Sequence, residues 1–209
     1  MKLPTPIQEF IYEPPVSQHL WPRHVMHIIV GSAIPLGVLL LPLGLAKWLL
    51  IVFSVLAVAL EVGRASLPTV NDLLIKLLPF FKPHERFQIT GATYFWLSAT
   101  FVVFAFPEDI AVLSLVFLAF GDPFATVVGS RDHRARIFGK SIAGTAAFAA
   151  VAVIAGAAAS LHPDIPLAWW LVPGAIVAAV AELLPTPFDD NVTVPLAAAI
   201  TMTLLSMIA

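Results

Sequence analysis

Apolar runs close to the length of a membrane crossing recur along this chain, separated only by short stretches of charged residues, proline and glycine. A helix that crosses the bilayer core needs roughly 20 mostly apolar residues. Seven stretches approach that requirement: His24–Leu45, Trp48–Val62, Gly91–Phe106, Ile110–Val128, Ile142–Ser160, Ala168–Leu184 and Val192–Met207. Of 209 residues, 59% are hydrophobic and 11% charged, too little charge to cover a water-soluble surface of this size. The expectation is therefore an all-α fold, a polytopic integral membrane helical bundle of about seven transmembrane helices. The same composition excludes disorder, collagen and coiled coil. The absence of cysteine excludes disulfides, thiolate metal sites and cysteine nucleophiles, and a net charge of -2 gives no nucleic-acid footprint.

Proline and glycine punctuate the runs. Pro35 and Pro42 are expected to kink or end the first, and Gly121-Asp122-Pro123 to break the fourth. Residues 1–22, with five prolines, read as an extended or interfacial arm. This arm lacks the charged start and apolar centre of a signal peptide, and it precedes a single transmembrane domain over 23–209.

Seven spans put alternate loops on opposite faces. Ten of the eleven Lys and Arg then fall on the N-terminal face and only Lys47 on the other, so the N-terminus is expected in the cytoplasm. The acids do not mirror this bias: all but Glu108, Asp109 and Asp164 share the basic face. Carboxylates and bases gathered at helix ends on one surface suggest a metal-phosphate site, and ionisable residues in or beside spans are functional by default.

The strongest segment runs Gly121-Asp122-Pro123-Phe124-Ala125-Thr126-Val127-Val128-Gly129-Ser130-Arg131, then Arg134, Arg136 and Gly139-Lys140-Ser141-Ile142-Ala143-Gly144-Thr145. It is a carboxylate, a glycine-rich turn and a basic hairpin. Gly121 before Pro123 would let the helix break and expose backbone groups, Asp122 is a hard oxygen ligand suited to Mg²⁺, and Gly129, Gly139 and Gly144 permit close approach by phosphates. Arg131, Arg134, Arg136 and Lys140 could neutralise a triphosphate. Lys140-Ser141 opens the fifth span, where amides and a hydroxyl favour an anion. The spacing is not that of a Walker A loop. A second segment, Glu182 to Pro195, supplies Glu182, Asp189, Asp190 and Asn191. One such residue caps a helix; three plus a glutamate could hold a divalent cation or accept a proton. Two weaker pieces are Arg23-His24-Val25-Met26-His27 and Glu61-Val62-Gly63-Arg64, both readable as membrane-boundary anchors. The stretch Leu67–Thr90 reads as an amphipathic interfacial helix and turn that could gate lipid entry.

These blocks resemble the integral-membrane CTP-dependent lipid kinases that include dolichol kinase, phytol and farnesol kinases and the yeast-type diacylglycerol kinase. The resemblance is carried by Gly121-Asp122-x-x-Ala125-x-x-x-Gly129, Lys140-Ser141-x-x-Gly144-Thr145 and Asp189-Asp190-Asn191-x-Thr193-Val194-Pro195, with weaker matches at Arg23 and His27, Glu61 and Arg64, and Glu85 with Thr90-Gly91-Ala92. It implies transfer of the terminal phosphoryl of CTP to the hydroxyl of a membrane lipid alcohol at the cytoplasmic interface. It further implies Mg²⁺ on Asp122 and Asp190, phosphate oxygens on Lys140, Arg131 and Arg136, and Asp189 or Glu182 as base. Cytidylyl transfer to a lipid phosphate and membrane transport are the rival expectations. The short chain favours a prokaryotic plasma membrane. Gly144-Thr145-Ala146-Ala147 and Gly156-Ala157-Ala158-Ala159 offer small-residue faces for packing within one chain or in a homo-oligomer.

Overall fold

Each apolar run becomes a helix because a chain without water around it must satisfy its backbone within the segment. The computed structural model describes residues 20–77, 88–133 and 136–208. Among them lie eight helices: α1 (Leu20–Leu40), α2 (Leu43–Ser66), α3 (Pro68–Leu77), α4 (Gly91–Ala105), α5 (Glu108–Arg131), α6 (Ile142–Ala159), α7 (Leu171–Leu183) and α8 (Asp190–Ser206). A two-stranded hairpin, β1 (Arg136–Ile137) and β2 (Lys140–Ser141), joins α5 to α6. Three helices, α2, α5 and α6, are long and apolar enough to cross a membrane; α4, α7 and the described part of α1 are shorter apolar helices. The N-terminal arm, most of the 78–90 connection, Arg134 and the side chain of Arg23 lie outside the described residues.

Helix α5 is the axis of the bundle. In its most apolar window 72% of residues are buried, against 17% for α2 and 22% for α6, which present broad apolar faces outward. Ile110 through Ala119 are all buried, and α1, α6, α7 and α8 pack around this helix. Helices α2 and α4 form a pair at the side, joined to the rest chiefly where α4 meets α8.

Several expected boundaries move. Pro42 ends the first run, but α2 begins at Leu43, which takes Lys47 into a helix. Pro35 does not interrupt α1. Nor does Gly121-Asp122-Pro123 break α5, which continues unbroken to Arg131. Packing overrides the proline. The Phe148 ring of α6 fills the place of a Gly121 side chain, 2.6 Å from where a Cβ would stand. Two turns on, a Cβ on Gly144 would lie 2.7 Å from the carbonyl of Ala125 and 3.3 Å from the Cα of Gly129. Helix α6 thus packs a ring against α5 before Pro123 and meets it backbone to backbone after, and the proline's local cost is a single lost hydrogen bond to the Ala119 carbonyl. Pro35 and Pro195 likewise release the carbonyls of Gly31 and Asn191.

This contact predicts that Gly144→Ala, which drives a methyl against backbone, lowers unfolding stability in detergent by about 1–3 kcal/mol. Gly37→Ala in α1 meets nothing within 4 Å and should leave the melting temperature unchanged or slightly raised.

Candidate functional site

The hairpin after α5 fixes the site. Its register pairs Arg136 with Ser141 and Ile137 with Lys140, so the turn is the dipeptide Phe138-Gly139. Both residues have positive φ, 52° and 82°, as a type I′ hairpin turn requires. Gly139 adopts this freely, whereas Phe138 bears a cost of about 1 kcal/mol. Where the hairpin ends, Ser141 caps α6: its Oγ accepts from the Gly144 amide at 3.3 Å and donates to Asp132 Oδ2 at 2.6 Å. The hydroxyl expected to meet phosphate therefore serves the helix start, with the Asp132 carboxylate beside it. Thr145 Oγ1 bonds back to the Ser141 carbonyl.

The residue before the cap, Lys140, reaches across to α7 and α8. Its ammonium donates to Asp190 Oδ2 at 2.8 Å, contacts Glu182 Oε1 at 3.0 Å and also donates to the Glu182 backbone carbonyl. Three acceptors match its three N–H donors. Burial works against the charged ammonium, but the Asp190 carboxylate and then that of Glu182 outweigh it and hold Lys140 above the usual lysine range. Asp189 is the N-cap of α8, accepting from the Asn191 amide at 3.0 Å and from Asn191 Nδ2 at 2.6 Å. The carbonyl of Asn191, released by Pro195, is taken by Ser98 Oγ at 2.5 Å. Ser98 ties α4 to the site and has no counterpart in any motif; only the offset of four to a proline signals that a donor is needed there.

Asp122, on α5, is electrostatically coupled to both Glu182 and Asp190. On its other side, Oδ2 stands 3.9 Å from His27 Nε2 of α1, too far for a hydrogen bond. Lys140, Glu182 and Asp190 are thus drawn together from positions 42 and 50 residues apart in the chain, with Asp122 near enough for its charge to act against the two acids. Arg131 is exposed at the last turn of α5. Arg136 donates to the carbonyls of Gly139 at 3.1 Å and Gly129 at 3.4 Å, leaving other guanidinium donors unused by those bonds. Gly121, Gly129 and Gly144 lie in helix packing. Among the described residues no group of three or more His, Asp and Glu side chains is arranged to hold a metal ion.

Glu61 and Arg64 form a second polar knot. Glu61 Oε1 takes Arg64 Nη2 at 2.5 Å, and Oε2 takes the Thr90 amide and the hydroxyls of Thr90 and Thr93 at 3.0–3.2 Å. Arg64 also donates to Asn71 Oδ1 at 2.8 Å and the Gln88 carbonyl at 2.7 Å. Residues read as boundary anchors instead bind α2, α3 and the start of α4 together. No protein-family model, curated protein or solved structure matches the chain.

Removing the ammonium leaves two half-buried carboxylates facing each other, so Lys140→Met should cost about 2–3 kcal/mol of unfolding stability in detergent. The pH dependence has a defined sign. A raised lysine pKa contributes stability that is complete below the ordinary value of about 10.4 and is lost as pH rises through the raised one. Wild-type melting temperature should therefore fall across that alkaline range more steeply than that of Lys140→Met.

Proposed function

We propose that this chain is a membrane-embedded lipid kinase, transferring the γ-phosphoryl of CTP to the hydroxyl of an isoprenoid alcohol or diacylglycerol at the cytoplasmic interface. The observation that carries the reading is the meeting of Asp122, Lys140, Glu182 and Asp190 at the end of the bundle that bears the arginine hairpin. Phosphoryl transfer asks a protein chiefly for positioning and charge neutralisation, and this end offers both signs of charge beside lipid-facing helices.

In this reading α1, α2, α4, α5, α6, α7 and α8 are the seven crossings and α3 lies at the interface, with the N-terminus inside. The opposite end carries the residues of a membrane boundary, where Lys47 lies over the Phe104 ring at 5.0 Å and Trp169 and Trp170 meet edge to face. The triphosphate lies along the hairpin, with Arg131 and the remaining donors of Arg136 on its oxygens. Lys140 fixes Glu182 and Asp190 and sets the field at the transferring group.

A protein cage for Mg²⁺ does not fit these residues. The cation between Glu182 and Asp190 is the Lys140 ammonium, and no third carboxylate or imidazole among the described residues completes a ligand set. Asp190 is therefore not carried forward as a metal ligand, and Mg²⁺ belongs with the nucleotide as part of the substrate. In the reaction the alcohol oxygen bonds to the γ-phosphorus while the bond from that phosphorus to the β,γ-bridging oxygen breaks. Cytidine diphosphate leaves, and the hydroxyl proton passes to a carboxylate. Glu182 and Asp190 are engaged by Lys140, and Asp189 by its cap; Asp122 is the carboxylate best placed to take the proton.

The test uses purified protein in detergent with Mg²⁺, CTP labelled at the α or γ position, γ-labelled ATP and a panel of lipid alcohols. Label from the γ position should appear in lipid, fall by about 10²-fold or more in Asp122→Asn, and require a higher CTP concentration in Arg131→Ala. Label from the α position with pyrophosphate release would make the chain a cytidylyltransferase. Absence of any transfer, with nucleotide-independent solute uptake in proteoliposomes, would make it a transporter.

A further inference from the structure

The notch between His27 and Asp122 has four features that the charge cluster does not account for. His27 Nε2 is buried without a hydrogen-bond partner, a state that costs about 1–3 kcal/mol when nothing uses the atom. It faces Asp122 Oδ2 across 3.9 Å; Nε2 itself is covered, while the two side chains as a whole are 22% and 26% exposed, so the pair lies at the rim of the packed core and an incoming hydroxyl parts it from that rim. Helices α1 and α5 touch one turn away, where a Cβ on Gly31 would lie 2.9 Å from that of Ala119. These are the two residues whose carbonyls Pro35 and Pro123 release from helix bonding. Two helix-released acceptors therefore lie one turn from the His27–Asp122 pair along the α1–α5 contact.

The surroundings are apolar. The Phe95 ring centroid lies 6.2 Å from that of His27, and Val25, Met26 and Ile29 on the same stretch of α1 are exposed to the bilayer side. A ligand for this notch has a small polar head and a hydrocarbon body. An oxygen about 2.8 Å from both Nε2 and Oδ2 closes the 3.9 Å gap with an angle of about 90° at that oxygen. That is the geometry of a hydroxyl receiving one hydrogen bond and giving another.

We infer that the His27–Asp122 notch is the subsite for the hydroxyl of the acceptor lipid alcohol, with His27 as its positioning residue. This rests on the lipid-kinase reading above. His27 Nε2–H donates to the alcohol oxygen and the alcohol O–H donates to Asp122 Oδ2, leaving a lone pair free for phosphorus. As the oxygen–phosphorus bond forms, the hydroxyl proton moves to Asp122 and the nucleoside diphosphate departs with the electrons of the broken bond.

The experiment has two arms. In the first, His27→Gln and His27→Asn are compared with wild type for KM of the alcohol and of CTP separately. Loss of one positioning hydrogen bond should raise the alcohol KM about tenfold while leaving the CTP KM unchanged. In the second, wild-type protein is photolabelled with farnesol carrying a diazirine beside the hydroxyl carbon, and labelled peptides are mapped. Label competed by farnesol should fall on α1 around His27 and on α5 around Asp122. An unchanged alcohol KM, an equal rise in both KM values, or label confined to the hairpin and α7 overturns the subsite. If wild type phosphorylates no alcohol, the kinase reading falls; label at His27 then still supports an alcohol site, and label elsewhere removes both.

Discussion

The ammonium of Lys140 is the point at which three separate parts of the chain become one site. It is anchored by a hairpin only two residues per strand long, whose other end is the N-cap of α6. From there it reaches the last turn of α7 and the first residue of α8. Both carboxylates sit at helix termini for a reason. Glu182 closes an apolar helix whose final carbonyls need donors, and the ammonium supplies one to its own backbone carbonyl. Asp190 opens a helix whose N-terminal dipole favours an anion. The same cation thus ends one helix, opens the next and neutralises two acids that could not otherwise share a half-buried space.

Helix α5 explains why this anchoring holds. It is buried along the bundle axis, and its last turns and hairpin hold the basic residues beyond Asp122. At a rise of about 1.5 Å per residue, Asp122 lies roughly 14 Å before the arginine end of the helix, where its charge acts against the acids of α7 and α8. Continuity through Pro123 is what makes that depth possible. A break there would have carried the hairpin sideways and left Lys140 without its partners.

Much of this was readable from residue pattern, and what was not depended on helix rotation. All seven apolar runs are helices because length and apolar character decide that outcome in any bundle. The helix expected after Leu67 is α3, whereas Gly139, read as a glycine that lets phosphate approach, takes the positive-φ position of the hairpin turn. The failure at Gly121-Asp122-Pro123 is instructive: local chemistry favours a break, but the glycine is there to admit Phe148, and interhelical packing is invisible to a reading of one segment. The boundary near Pro42 also shifts, because Pro42 takes the N-cap position of α2 and the helix starts directly after it. Ser98 and the partnership of His27 with Asp122 could not be seen at all, because they depend on which faces of α1, α4 and α5 turn toward one another.

Two polar knots lie in this apolar bundle, and their contrast separates structure from function. The Glu61–Arg64 knot is closed upon itself. Both carboxylate oxygens are used, and the two terminal guanidinium nitrogens are spread over Glu61, Asn71 and the Gln88 carbonyl, so the charged groups meet one another within the helix ends they join. A knot of that kind fixes α2 against α4 and has no reason to admit a ligand. On the same face of the bundle, Lys140 closes two acids but leaves Asp122 facing an imidazole nitrogen it does not reach. Folding alone would favour apolar residues at such a gap, because burial of an unpaired polar atom is costly and brings no packing in return. A polar gap between helices, one turn from two proline-released carbonyls, is carried by the fold against that cost, and in the proposed function the hydroxyl of the acceptor supplies the missing atom.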